Sequence, residues 1–299
     1  MRITAVVVLV IALLIFVLIT WPDQGKFDPS RLLGLLVSAT MLIGSAIGLT
    51  TWALRRRPPP AAPTDAMVAE AKTALANLVR RQWKDEARLR ALGDPHPMPV
   101  AWQLTAKRAM MDHPQRIAEQ ELTFAGNAVN LRALTVQFRA LRSRRLVITG
   151  GAGTGKTTLA VQLLLDLLAT RTSAEPVPVM LSIAGWDTTR HRHLGEWLTA
   201  QLATIYPTLR AGEYGGEATP AALTEGGHIL PVLDGLDELP APARAQVITA
   251  LNASLAETDQ LILTSRTVEF AAAVRSAGDT VTGAAVIAPA ALTPPVAAA

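Results

Sequence analysis

Gly150-Gly151-Ala152-Gly153-Thr154-Gly155-Lys156-Thr157 decides the fold. An apolar run, Arg145 to Thr149, leads into it, and a helix-like run, Thr158 to Leu168, leads out of it. Strand, glycine loop, lysine, hydroxyl and helix in that order make G-x-x-x-x-G-K-[ST] a phosphate-binding loop. A triphosphate is a dense anion, so backbone N–H groups must converge on it. Glycines let the chain take positive φ and approach without a Cβ in the way. The helix beginning near Gly155 adds unpaired N–H groups and its positive dipole end. The candidate nucleotide-binding residues are therefore Gly150, Gly151, Ala152, Gly153, Thr154, Gly155, Lys156, Thr157 and Thr158. Lys156 is expected to reach the β- and γ-phosphates, and Thr157 to place its hydroxyl on Mg²⁺.

The second half of such a site lies in His228 to Glu238, HILPVLDGLDE. A buried strand ending in a carboxylate supplies the other metal contact, so Asp234 is expected to hold Mg²⁺ through water. Asp237 and Glu238 follow on the loop, where either is placed to orient or deprotonate the attacking water. Pro231 lacks a ladder donor, which predicts a bulge or an unpaired position. A third strand, Gln260 to Arg266, ends in Thr264, Ser265 and Arg266 and aims a cation or hydroxyl at the γ-phosphate. Val177 to Ile183 reads as a further strand, and Leu194 to Tyr206 and Ala241 to Leu255 as helices. The alternation predicts an α/β fold, a parallel sheet with flanking helices, with its ligand outside the carboxyl ends of the strands.

The amino-terminal part is of another kind. Half of the residues are hydrophobic and only 4% aromatic, which suggests membrane or helix-rich content. Ile3 to Trp21 runs about nineteen residues without a charge and Leu32 to Leu54 about twenty-three, each enough to cross a hydrocarbon core as a helix. Gly44 and Gly48 stand at the spacing that lets membrane helices pack closely. A cleaved signal peptide fits poorly, because the first run is too long and a second follows at once. Arg55-Arg56-Arg57 after the second run puts that end in the cytoplasm. The expectation is a cell-membrane protein with two spans, its N-terminus and its phosphate loop both cytoplasmic and its partner the lipid bilayer. Pro58 to Pro63 reads as a stiff spacer. Thr64 to Leu92 resumes a helical pattern, Gly93 to Pro99 breaks it, and Val100 to Leu141 is expected to hold short helices. The absence of cysteine excludes disulfides and thiolate metal sites. The net charge is +4, and no basic motif interleaved with aromatics is present, so no nucleic-acid partner is expected.

GGAGTGKTT, LPVLDGLDELP and LILTSR, in this order and spacing, resemble the NACHT ATPases of the STAND class of P-loop NTPases, which are related to AAA+ ATPases. The segment from Arg81-Gln82-Trp83 to Pro97-Met98-Pro99-Val100-Ala101-Trp102 is similar to the stretch preceding that module in bacterial members. The resemblance implies a nucleotide-dependent signalling switch, closed with ADP and oligomeric with ATP, with slow hydrolysis and an unknown sensor or effector protein. It makes Lys156 and Thr157 the Walker A pair, Asp234 the Walker B carboxylate and Arg266 the sensor-1 arginine. The expected division is 1–57 for the spans and their short loop, 58–65 for the linker, and 66–141 for a helical segment. The NTPase domain follows at 142–290 and a short tail at 291–299. Family members continue into a helical bundle, a winged helix and sensing repeats, which do not fit after Pro289; the resemblance leads us to expect a truncated or split member.

Rival readings are weaker. No Asn-Lys-x-Asp guanine motif follows the loop. Leu223 to His228 does not match an ABC signature. A membrane-coupled tyrosine kinase carries a tyrosine-rich tail, whereas Tyr206 and Tyr214 are the only tyrosines here. His191 and His193 lack a third ligand at sensible spacing. The alternative from another class is a membrane-held module that binds ATP without turnover.

Overall fold

Every residue of β3 (Arg145–Gly150) is buried, which requires neighbours on both edges and helices on both faces. The computed structural model describes residues 62–89, 100–119, 124–127 and 130–290. The two expected spans, the start of the linker, the break at Gly93 to Pro99 and the tail lie outside the described residues. Among those described, no helix is long and apolar enough to cross a membrane.

The seven-stranded sheet has the order β2-β1-β7-β3-β6-β5-β4. Its parallel strands are β4 (Val177–Ser182), β5 (Ile229–Asp234), β3, β6 (Leu261–Arg266) and β7 (Ala284–Pro289). All are β-branched or aliphatic runs without internal charge, as strands covered on both faces must be. β1 (Ala101–Leu104) and β2 (Ala125–Asn127) extend the sheet antiparallel beyond β7.

The expectation of short helices over Val100 to Leu141 holds in part: among the described residues α2 (Pro114–Ile117), α3 (Leu131–Ala140) and a 3-10 turn at Arg108–Met110 are helical, but β1 and β2 are strands. Four-residue β1 buries Trp102 while Ala101 and Gln103 stay exposed, a period-two pattern too short to stand out from a helical one. The outer strand β2 is closed off by a side chain. Gln137 on α3 donates to the Ala125 carbonyl and accepts the Ala125 N–H, both at 3.0 Å.

Pro231 makes no bulge. The register with β4 runs unbroken through Val179↔Pro231, and the ladder to β6 begins only at Val232. The missing donor therefore sits where β5 has not yet met β6.

α1 (Asp65–Leu89) buries Ala71, Leu75, Ala76 and Val79 and packs against β4 and α4 (Lys156–Thr170). α5 (Leu194–Ile205), α6 (Thr219–Glu225), α7 (Ala241–Ser254) and α8 (Thr267–Ala277) complete the cover. α4 carries no basic residue in its last turn, so its carbonyl end takes cations from elsewhere. Arg80 of α1 donates to the Leu168 carbonyl at 2.9 Å, and Lys72 donates to the Ala174 carbonyl, on the loop beyond the helix, at 3.0 Å. Arg139 of α3 forks onto Glu175 at 2.8 and 3.1 Å. Burial pushes the Glu175 carboxyl up, but the Thr172 N–H, Arg139 and Arg144 outweigh it and hold the carboxyl below its ordinary range.

At the same amino-terminal edge of the sheet Arg145 is 2% exposed. Its guanidinium donates to the carbonyls of Asp259 and Thr282, both at 2.8 Å, and of Ala256. A charge buried this deeply is tolerated because its donors are satisfied.

Candidate nucleotide-binding site

β3 ends at Gly150, and α4 begins at Lys156 with Gly155 as its cap. Gly155 has φ +82°, a left-handed conformation in which a Cβ is strained, so glycine is the residue that turns the loop into the helix here. Within the loop the Lys156 ammonium donates to the Gly151 carbonyl at 2.8 Å, and the Thr154 hydroxyl to the same oxygen at 3.0 Å. Gly151, Ala152 and Gly153 are exposed, and Thr154 to Thr158 half-buried. Lys156 is thus held over the loop it is expected to share with a phosphate.

The register of the parallel strands assembles the rest. Gly150 on β3 faces Arg266 on β6, and β5 lies beside β6, so three strand ends meet on one rim. The Thr157 hydroxyl donates to Asp234 at 3.0 Å from Oδ1 and 3.2 Å from Oδ2. A hydroxyl and a carboxylate joined at the foot of a phosphate loop are hard oxygen donors of the kind Mg²⁺ takes beside substrate phosphates. The donor set fits the metal, with phosphate and water oxygens left to complete it.

Beyond Asp234 the chain turns sharply. Gly235 has φ +85°, and a Cβ there would stand 2.8 Å from the Glu238 carboxyl carbon. The turn Leu236–Glu238 places Asp237 under Arg266: Arg266 Nε lies 3.0 Å from Oδ2, and the Arg266 N–H donates to Oδ1 at 3.0 Å. Glu238 is exposed. Arg244 on α7 fastens the turn from below, donating to the carbonyls of Leu239 at 2.7 Å and Asp237 at 3.1 Å.

A family model describing the NACHT domain matches residues 144–294, half of the chain. The chain belongs to the NACHT family. Its NACHT domain is a nucleotide-binding P-loop NTPase module of the signalling type, in keeping with the parallel sheet and the loop at Gly150. No match to a curated protein was found.

The NACHT domain brings together every candidate read from its motifs: the loop from Gly150 to Thr158, Asp234, Asp237, Glu238 and Arg266 all lie at the carboxyl rim of the sheet. It separates their roles in one respect. Asp237 is engaged by Arg266, whereas Glu238 has a free face. The sequence marks Thr264 only as one of the polar ends of its strand, and Arg244 escapes the motifs altogether. Thr264, 1% exposed, donates to Asp234 Oδ1 at 2.5 Å and accepts the Gly235 N–H at 2.9 Å. A hydroxyl inside a fully buried strand was its signal, since a buried polar group needs a partner. Arg244 had no such signal, because an arginine on a helix is ordinarily solvated. His191 and His193 lie on the loop after β4, where the His191 carbonyl accepts the Trp186 indole N–H at 2.9 Å.

Proposed function

We propose that this chain is a membrane-anchored, nucleotide-dependent signalling switch that binds ATP with Mg²⁺ and hydrolyses it slowly. The observation that carries the reading is the bond between Thr157 and Asp234, 77 residues apart in sequence. It brings a phosphate-loop hydroxyl and a strand-end carboxylate to one point. In the loaded site Lys156 neutralises the β- and γ-phosphates, and the loop's N–H groups hold them. Thr157 and Asp234 would hold Mg²⁺, which would supply charge neutralisation and orientation of the phosphoryl group. Glu238 accepts a proton from the attacking water. Arg266, once it leaves Asp237, offers its charge to the transferring phosphoryl group. Two uncharged amino-terminal runs and Arg55 to Arg57 support a two-span anchor with the NTPase domain in the cytoplasm. ADP release, self-association through the NACHT domain and a sensor or effector protein follow from the family's mode of action.

A second reading, a scaffold that binds ATP without turnover, draws on one observation: both Asp237 oxygens are occupied by Arg266.

Calorimetric titration of the detergent-solubilised chain tests the first reading. Lys156→Ala removes a charge-assisted contact worth about 1.5–3 kcal/mol, so ATP affinity falls about 10- to 150-fold. Unchanged affinity would remove the site assignment. Phosphate release in single turnover separates the switch from the scaffold.

A further inference from the structure

We propose that Thr264 is a positioning residue for the metal carboxylate: it fixes Asp234 so that Mg²⁺ and ATP bind cooperatively. The proposal rests on the ATP·Mg²⁺ reading of the same site and gives Thr264, read from the sequence as one of the polar strand ends facing the γ-phosphate, a different role at the metal carboxylate.

The geometry carries it. β5 and β6 run side by side through Val232↔Ile262 and Leu233↔Leu263, which brings Asp234 next to Thr264. The Thr264 hydroxyl has one proton to give. Its oxygen already accepts the Gly235 N–H at 2.9 Å, so that proton is directed at Asp234 Oδ1, 2.5 Å away. The direction of the bond is thereby set by the backbone and not left to the rotor. Thr264 is itself immobile: it is buried on β6 opposite Ile148 of β3.

Asp234 consequently has two hydroxyl donors with different duties. Thr157 sits on the loop and helix that close on phosphate, and its oxygen is expected to turn to the metal. Thr264 stays with the sheet and holds Oδ1 whether or not nucleotide is present. A carboxylate held from behind does not lose rotamer freedom when the metal arrives. Hydrogen-bond partners behind a metal ligand typically change metal affinity about 10- to 100-fold. The same strand carries Arg266 two residues on, bonded to Asp237. β6 is therefore joined to the β5 turn at both the metal carboxylate and the arginine.

The test measures coupling between metal and nucleotide in the full chain. ATP affinity is determined by calorimetry with saturating Mg²⁺ and again in EDTA, and the ratio is compared between variants. Thr264→Val, which keeps the shape and removes the hydroxyl, should lower the ratio about 10-fold while leaving the EDTA affinity alone. Thr264→Ser should keep the wild-type ratio. In an Asp234→Asn background Thr264→Val should have no further effect. Should Thr264→Val not fold, Thr264→Cys keeps the size with a weak donor and should give an intermediate ratio. An unchanged ratio in Thr264→Val or Thr264→Cys overturns the proposal. So does an equal loss with and without Mg²⁺, or an undiminished effect beside Asp234→Asn. A wild-type chain that binds no ATP, or binds it without regard to Mg²⁺, fails the underlying reading instead.

Discussion

Arg266 and Asp237 are closed on each other at the rim of the sheet, with Nε 3.0 Å from Oδ2 and the Arg266 N–H 3.0 Å from Oδ1. The arginine side chain is 51% exposed but that of Asp237 only 12%, so opening the pair leaves a largely buried carboxylate behind and costs more than the roughly 0.2–1 kcal/mol of a surface pair. While it is closed, each Asp237 oxygen already accepts a bond from Arg266, which makes the carboxylate a weaker base. Glu238→Gln is therefore expected to lower single-turnover phosphate release about 100-fold with ATP binding kept. Asp237→Asn should lower it by about 10-fold or less. An equally deep loss in Asp237→Asn, measured by radiolabelled phosphate release, would move the base to Asp237.

Arg145 supports the strand that delivers the phosphate loop. Arg145→Met keeps much of the volume but strands the carbonyls of Asp259, Thr282 and Ala256. The expected loss is about 3 kcal/mol, given what hydrogen bonds to charged groups contribute. Urea denaturation at pH 7 measures it; a loss under about 1 kcal/mol would mean that water replaces the guanidinium.

Two rings give the stability opposite pH limits. Burial first, and then the charge of Lys72, hold His228 below its ordinary value of 6.5. The unfolded chain takes up the proton more readily than the folded one. Stability is therefore full above pH 6.5 and declines as the pH falls through and below that value. Burial pushes the Tyr206 phenol up to about 12 from 10.0, while its hydroxyl donates to Gln82 Oε1 at 2.9 Å. That contribution is full below pH 10 and is lost as the pH rises through about 12. His228→Gln should flatten the acid limb, and Tyr206→Phe the alkaline one, in melting temperatures followed against pH.

The proposed two-span anchor has a test of its own. A tag at Gln24 should be labelled from outside intact cells by a reagent that does not cross the membrane, and a tag at Thr64 should not. Labelling of neither, or of both, would remove the two-span arrangement.

Four parallel strands, β3 to β6, were legible because each is a short apolar run bounded by turns, and the helix starting at Lys156 because its motif prescribes one; β7 was not legible as a strand. β1 and β2 were not legible. Three residues, Ala125 to Asn127, carry too little pattern to register as a strand, and Val100 to Leu141 is mixed in composition. The order of strands was also hidden, since pairing of β3 with both β6 and β7 depends on contacts more than a hundred residues apart. In the site, motif residues declared themselves through their chemistry and spacing. The bond from Arg266 to Asp237 joins positions 29 residues apart whose loop conformations no local rule fixes.

The side-chain amide of Gln137 occupies both backbone groups of Ala125 on the outermost strand. A strand arriving there from another molecule finds its donor and acceptor already spoken for. Growth of the sheet from copy to copy is thereby disfavoured at Ala125, so contacts between copies of this domain would more readily use its helices and loops.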